Sequence, residues 1–330
     1  LEGALSSGGA EALGLGVSLR EDGLAAQGLM LAPSPRTGIM RSFEPGGADV
    51  LPLPYVDEDA ALFCGLRFSL PVFWQELKAI IRRQAPEQLA LMEQQFQLME
   101  VDLEKDVIGA FGDRWFVYAP AIGLGEETPA ELPMALVADL QRSEAFATAL
   151  RQMLASLPPF VAVQTVDFMG VTVYQFAPQT AWEGEPTAVP QPCLAVMQDK
   201  MVYASSVEVA KAVIRDDRRE TSPLRRSQGF QRLVGQTMDD PDGMLLVNGR
   251  SLGRWMIARM EQYRSEAHEM LEGLEPPPGM EPPDAEDVLP PELPSWDVLR
   301  KYETDLMATV KWTDDGLLLK TWTPDPVLEE

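Results

Sequence analysis

The chain has 330 residues, 45% of them hydrophobic, which is enough to bury one large core or two of ordinary size and excludes disorder throughout. Its 51 acidic against 27 basic residues give a formal net charge of −24, a field that repels phosphate backbones and anionic headgroups and so argues against nucleic acid or a membrane surface as partner. No run approaches the roughly 20 apolar residues that span a bilayer, and with only Cys64 and Cys193 a disulfide framework and a four-cysteine zinc site are both excluded.

In chain order, the first element is a hairpin: residues 13–31 are two alternating apolar runs joined by Glu21-Asp22-Gly23, and Asp-Gly is a strong short-range turn signal. By the resemblance set out below, residues 1–43 are expected as the tail of a preceding module, 44–56 as a linker, 57–325 as the main module and 326–330 as a tail. Inside the main module, strands are expected at 60–68, 114–119, 134–140, 160–167, 171–177, 193–198, 201–205 and 243–250. Helices are expected at 71–84 and 87–100, split by Pro86, which removes a backbone donor. Ser143 is placed as the cap of a helix carrying Phe146, Leu150 and Met153 on one face, and Ser206 starts another with Val209, Ala210, Val213 and Ile214 inward. A long helix from about 252 to 271 carries a stripe of Met256, Met260, Tyr263, Ala267 and Met270. Prolines and carboxylates make 273–294 an extended acidic loop. The closing hairpin, 306–322, turns at Asp314-Asp315-Gly316.

Two segments recur. DEDAALFCGLRF (57–68) and DPDGMLLVNGRS (240–251) align at a constant offset, Asp57 with Asp240, Asp59 with Asp242, Leu62 with Leu245 and Arg67 with Arg250. With the two Asp-Gly hairpins, this points to duplicated supersecondary units. The expected fold class is α+β: mostly antiparallel twisted sheets built from hairpins, with helices packed on one face.

Reactive constellations are sparse. His268, the single histidine, sits between Glu266 and Glu269, and no serine stands in a Gly-x-Ser-x-Gly elbow. Gly14-Leu15-Gly16 lacks the third glycine and the following helix of a dinucleotide site, and Gly123-Leu124-Gly125 lacks the Lys-Ser/Thr ending of a phosphate loop. Carboxylates remain. Asp57, Asp59, Asp240 and Asp242 are candidate ligands for a hard cation such as calcium, although none matches the EF-hand spacing and aspartates before strands commonly form turns through their own side chains. No other cofactor is expected. For a partner, the candidates are Trp182 in the Pro-rich loop 178–192 and the arginines Arg218, Arg219, Arg225 and Arg226, which could receive the acidic 273–294 loop. Cys64 and Cys193 are expected as free buried thiols, with one disulfide as the alternative.

In DLEKDVIGAFGDRWFVYAP (102–120), MALVADL with SEAFATAL (134–150), the FMGVTVY hairpin (168–174), MVYASS (201–206), SPLRRSQGFQRL (222–233) and DDGLLL (314–319), the chain resembles a bacterial cell-envelope family catalogued only as a domain of unknown function. The resemblance covers about 57–325. It implies a secreted or periplasmic protein of a kind often anchored to a membrane or lipid, for which there is room upstream of Leu1, and it transfers no functional residue. The resulting expectation is a non-enzymatic extracytoplasmic binding or scaffold module acting on a protein partner or on itself. The alternatives are a hydrolase using carboxylates or a divalent cation, and a structural subunit of a larger envelope assembly.

Overall fold

A computed structural model describes residues 11–43, 49–122, 131–158, 161–178, 191–272, 298, 301 and 303–325. Each run of alternating apolar residues forms a strand: β1 (Ala12–Arg20), β2 (Gly23–Leu31), β3 (Leu62–Arg67), β4 (Phe111–Ala119), β5 (Ala135–Leu140), β6 (Val161–Phe168), β7 (Val171–Pro178), β8 (Cys193–Val196), β9 (Lys200–Ala204), β10 (Gly243–Val247), β11 (Leu306–Thr313) and β12 (Gly316–Pro324). All join one antiparallel sheet, in the order β1-β2-β12-β11-β10-β3-β4-β5-β9-β8-β7-β6. The helices are α1 (Leu70–Gln84), α2 (Pro86–Leu98), α3 (Ser143–Ala155), α4 (Val207–Asp216), α5 (Pro223–Arg226), α6 (Gln228–Val234) and α7 (Gly249–Glu272). The protein is α+β.

At the centre of the sheet β3 lies antiparallel to β10, with Cys64 opposite Leu245. Outward from that contact one side reads β3, β4, β5, β9, β8, β7, β6 and the other β10, β11, β12, β2, β1, so the first carries the β6-β7 hairpin in addition. A helix follows β3 and β10 alike, and β4-β5 corresponds in position to the β11-β12 hairpin. The outer hairpins are exchanged: β1-β2, which precedes β3 in sequence, docks on β12, while β8-β9, which precedes β10, docks on β5. Residues 12–31, read from the sequence as the tail of a separate module, are thus hydrogen-bonded to the last strand along a full nine-residue register. The two hairpins interlock at their turn glycines. Gly23 (φ +152°) and Gly316 (φ +150°) adopt backbone angles that side chains disfavour, and a Cβ on either would run into a carbonyl of the other hairpin, Thr323 or Met30.

Helices cover both faces of the sheet, which corrects the one-face expectation. On one face α4, α5 and α6 bring Val209, Val213, Ile214, Leu224, Phe230 and Leu233 against Phe63, Phe116, Val137, Val173 and Val202. The intervening residues point the other way. Ala138, Leu140 and Met201 pack under Phe146 of α3 and Leu70 of α1. Both layers are required because strands in the middle of the sheet, such as β5 (Ala-Leu-Val-Ala-Asp-Leu), are apolar on both sides.

Local capping follows sequence in one case and departs in another. The Ser206 hydroxyl accepts from Val209 N and starts α4. Ser143 is the first helical residue of α3 rather than its cap; Arg142 occupies that place and makes no side-chain cap bond. The β6-β7 turn is made by Met169 (φ 55°) and Gly170 (φ 81°), the two consecutive positive φ angles of a tight hairpin turn.

Candidate binding surface at the β1 edge

β1 ends the sheet, and all nine of its residues are exposed. Period-2 geometry puts Leu13, Leu15, Val17 and Leu19 on one face and Gly14, Gly16 and Ser18 on the other. Those four apolar side chains are 80, 73, 63 and 87% exposed. The hydrogen-bond parity is also fixed. Asp325 N bonds to Asp22 O, so even-numbered residues of β2 bond to β12 and odd-numbered ones to β1. Gly23 is paired with Arg20 and Gln27 with Gly16, so the even-numbered residues of β1 are consumed by β2. The N–H and C=O groups of Leu13, Leu15, Val17 and Leu19 therefore point out of the edge.

The apolar row continues inward along the same face. Register places Leu24, Ala26 and Met30 of β2, Leu317 and Leu319 of β12, Ala308 and Val310 of β11 and Leu245 of β10 beside it, and none of these is fully buried. On the opposite face Ala25, Met307, Thr309 and Trp322 are buried, while Gln27 and Leu29 of β2 are exposed. At the end of the open row Trp312 is sealed by the Arg36 guanidinium, 4.5 Å above its ring, and by Phe43. A second apolar surface lies on α7. The stripe of Met256, Met260, Tyr263 and Met270 faces outward, 41 to 70% exposed, so its helical spacing marks an open face and not a core.

Of the four aspartates read from sequence as candidate cation ligands, Asp57, Asp240 and Asp242 face arginines. Asp242 is buried; its Oδ1 accepts from Arg67 Nη1 at 2.7 Å and its Oδ2 accepts from Trp312 N at 2.8 Å. Asp240 (φ 48°) lies exposed at 3.9 Å from the same guanidinium. Asp57 accepts from Arg219 Nη1 at 2.7 Å and from the Tyr118 hydroxyl at 3.4 Å. The Asp242 pair sits at the Arg67 end of β3 and the Asp57 pair beyond its Leu62 end, with Asp59 two residues from Asp57, so the four do not converge. Among the described residues no group of three or more His, Cys, Asp or Glu could hold a metal ion.

The arginines are likewise dispersed. Arg219 bridges Asp57 and Asp216, Arg225 faces Asp49 at 3.9 Å, Arg218 donates to Met169 O, and Arg226 is exposed. Trp182 and the 273–294 loop lie outside the described residues. Cys64 and Cys193 are free thiols on opposite faces of the sheet, on strands β3 and β8 with three others between them, too far apart for a bridge.

A cleft of about 540 Å³ opens between α1, α2 and residues 100–104, lined by Trp74, Lys78, Glu93, Phe96, Val101 and Glu104. Lys78 bridges Glu93, at 2.7 Å, and Glu104. Its hydrogen bond holds the Glu104 carboxyl below the usual range and raises Lys78. That is the reverse of the raised carboxylate an acid catalyst needs. Burial does raise the carboxyls of Asp139, Glu303 and Asp305; Asp139 accepts from Arg114, Asp305 accepts the Gly249 N–H at the start of α7, and Glu303 faces Arg250 at 3.9 Å with neither oxygen hydrogen-bonded among the described residues. Among the described residues no helix is long and apolar enough to cross a membrane.

The sequence carried the signal for this surface, since Leu, Leu, Val and Leu alternate with Gly, Gly and Ser. It lacked the fact that β1 stands at the end of the sheet. No family model matches the chain, and no curated protein matches it. It is similar to a solved structure of TP0453 in its crystal form III, at 10% identity over 85% of this chain and 96% of that one, with a TM-score of 0.32.

Proposed function

We propose that the chain is a non-enzymatic, extracytoplasmic binding or scaffold module of the cell envelope that docks a protein through the open β1 edge and the apolar face beside it. The observation that carries this reading is the row Leu13, Leu15, Val17 and Leu19, exposed along a strand whose outward backbone groups meet no partner strand among the described residues. Monomeric proteins ordinarily blunt such edges with charges, prolines or bulges, and an unblunted one is a template for strand addition. β1 carries no charge from Ala12 to Leu19, no proline, and a register with β2 free of bulges. The same reading holds the two halves of the sheet to be copies of one unit. The recurring Asp-led segments, which meet at the β3–β10 contact, support that.

The test is a photo-crosslinking residue at Leu15, with Gln164 on the opposite edge strand β6 as control, expressed in the native cells. Position 15 is expected to yield discrete protein adducts in an extracytoplasmic fraction, and position 164 few. Equal yields from both positions, or adducts confined to the cytoplasm, would sink the reading.

A further inference from the structure

We infer that the occupant of the β1 edge is a second copy of this chain, paired antiparallel with β1 about a two-fold axis through Gly16. The inference rests on the docking surface proposed above and goes on to name what fills it.

The first argument is register. The outward N–H and C=O groups belong to Leu13, Leu15, Val17 and Leu19. When two β1 strands run antiparallel about Gly16, Leu15 stands opposite Val17 of the other copy and Leu13 opposite its Leu19. Every outward group thereby meets another outward group. That register overlaps the whole strand, from Ala12 to Arg20. It also places Leu15 and Leu13 opposite Val17 and Leu19 on one face, and Gly14 opposite Ser18 on the other, with Ala12 meeting Arg20 at each end. The two apolar rows fuse into one continuous strip, and no side chain has to change sides of the sheet.

The second argument is charge. Each copy carries a formal net charge of −24, so most mutual approaches bring carboxylates together. The edge is uncharged over Ala12–Leu19, so two copies meet there with carboxylates opposed only at the ends, where Glu11 stands opposite Glu21 of the other copy.

Area sets the strength. Nine residues at about 3.4 Å rise make a contact about 30 Å long, burying roughly 300–400 Å² per copy. A standard stable interface buries about 800 Å² per partner, so the pair is weak and reversible. The charge on each copy weakens it further at low salt, because repulsion between the two bodies is screened only as ionic strength rises.

The experiment is sedimentation velocity over a roughly hundredfold range of concentration into the high micromolar, at low and at moderate salt. A monomer–dimer equilibrium is expected whose dimer fraction rises with salt. Val17→Lys, which sets two ammonium groups beside the axis, is expected to weaken it at least tenfold, and so is Leu15→Pro. The Leu15 N–H points outward, so proline there removes an intermolecular donor and spares the β1-β2 ladder. Gln164→Lys on the far edge should leave dimerisation unchanged, and circular dichroism would show that each variant is folded.

Register is tested separately in a Cys64→Ser, Cys193→Ala background. Gly16→Cys places two thiols face to face in a non-hydrogen-bonded pair at disulfide distance, so it should oxidise to a covalent dimer at least tenfold faster than Ser18→Cys, whose opposite residue is Gly14. A chain monomeric at every concentration, equal oxidation of the two cysteine variants, or protection from exchange of the outward amides of Leu13, Leu15, Val17 and Leu19 in the monomer would each overturn the inference. If the chain stays monomeric while Leu15 still crosslinks to another protein, the docking surface stands and the second copy falls. If Leu15 crosslinks to nothing, both fall.

Discussion

Asp242 shows how a side chain chosen for its chemistry acts through its surroundings. It is 4% exposed, and its two oxygens are used by Arg67 from β3 and by the Trp312 amide of β11. Removing the carboxylate takes the shortest ion pair from a buried guanidinium that keeps Asp240 at 3.9 Å, a loss bounded by the about 3–5 kcal/mol of a fully broken buried pair. Asp242→Ala is therefore expected to lower the unfolding free energy in urea by up to that amount. The double change Arg67→Met, Asp242→Leu should recover most of it; no recovery would show that the loss comes from something other than the weakened pair. Cys193 offers a pH reading. Burial first, with a smaller contribution from Glu208, pushes its thiol up to about 11. Since the unfolded thiol ionises lower, the stability this group contributes is whole below the ordinary thiol value and disappears as pH rises towards about 11. Urea titrations across that window should show the wild type losing more stability than Cys193→Ala, and equal slopes would contradict the assignment. At this scale the sequence was least legible. Asp57 and Asp242 look like cation ligands in a linear reading because their arginines are supplied from 162 and 175 residues away.

At the scale of elements, local chemistry was far more readable. Period-2 runs with Asp-Gly turns specify β1-β2 and β11-β12 within a residue or two, and Ser206 begins α4 where a hydroxyl acceptor is needed. Ser206→Ala is expected to cost about 1 kcal/mol of unfolding free energy. Spacing failed where the question was what covers a face. The stripe on α7 has the period of a buried helix and lies open, because periodicity identifies a side of a helix and is silent about its neighbour. The turn glycines make a sharper prediction. Gly170 (φ +81°) and Gly316 (φ +150°) are both conformationally strained for alanine, but only at Gly316 would the new methyl meet a neighbouring backbone, the Met30 carbonyl. Gly170→Ala is expected to cost about 1 kcal/mol and Gly316→Ala clearly more, read from urea midpoints. A reversed order would mean that β2 yields to the intruding group.

For the molecule as a whole, antiparallel α+β character followed from hairpins being the commonest connection, while sheet order did not follow, because exchanging β1-β2 with β8-β9 between the halves leaves every local pattern unchanged. The helices divided between two faces for a reason visible in β5, whose both sides are apolar. The exchange makes the N-terminal hairpin structurally indispensable. A chain starting after Leu31 would expose the flank of β12 from Gly316 to Pro324 and uncover Trp322, which is 2% exposed. Such a chain is expected to unfold at lower urea and to aggregate, as gel filtration and turbidity would report; unchanged cooperative unfolding would show that the hairpin is an appendage.

That exchange also dictates a timetable during synthesis. The β1-β2 hairpin rests on β12, which lies nearly the whole length of this chain further on, so it leaves the ribosome roughly a quarter of a minute to a minute before that neighbour exists. Throughout that interval the margin of β2 that will bond β12 lies open to water and to other nascent strands.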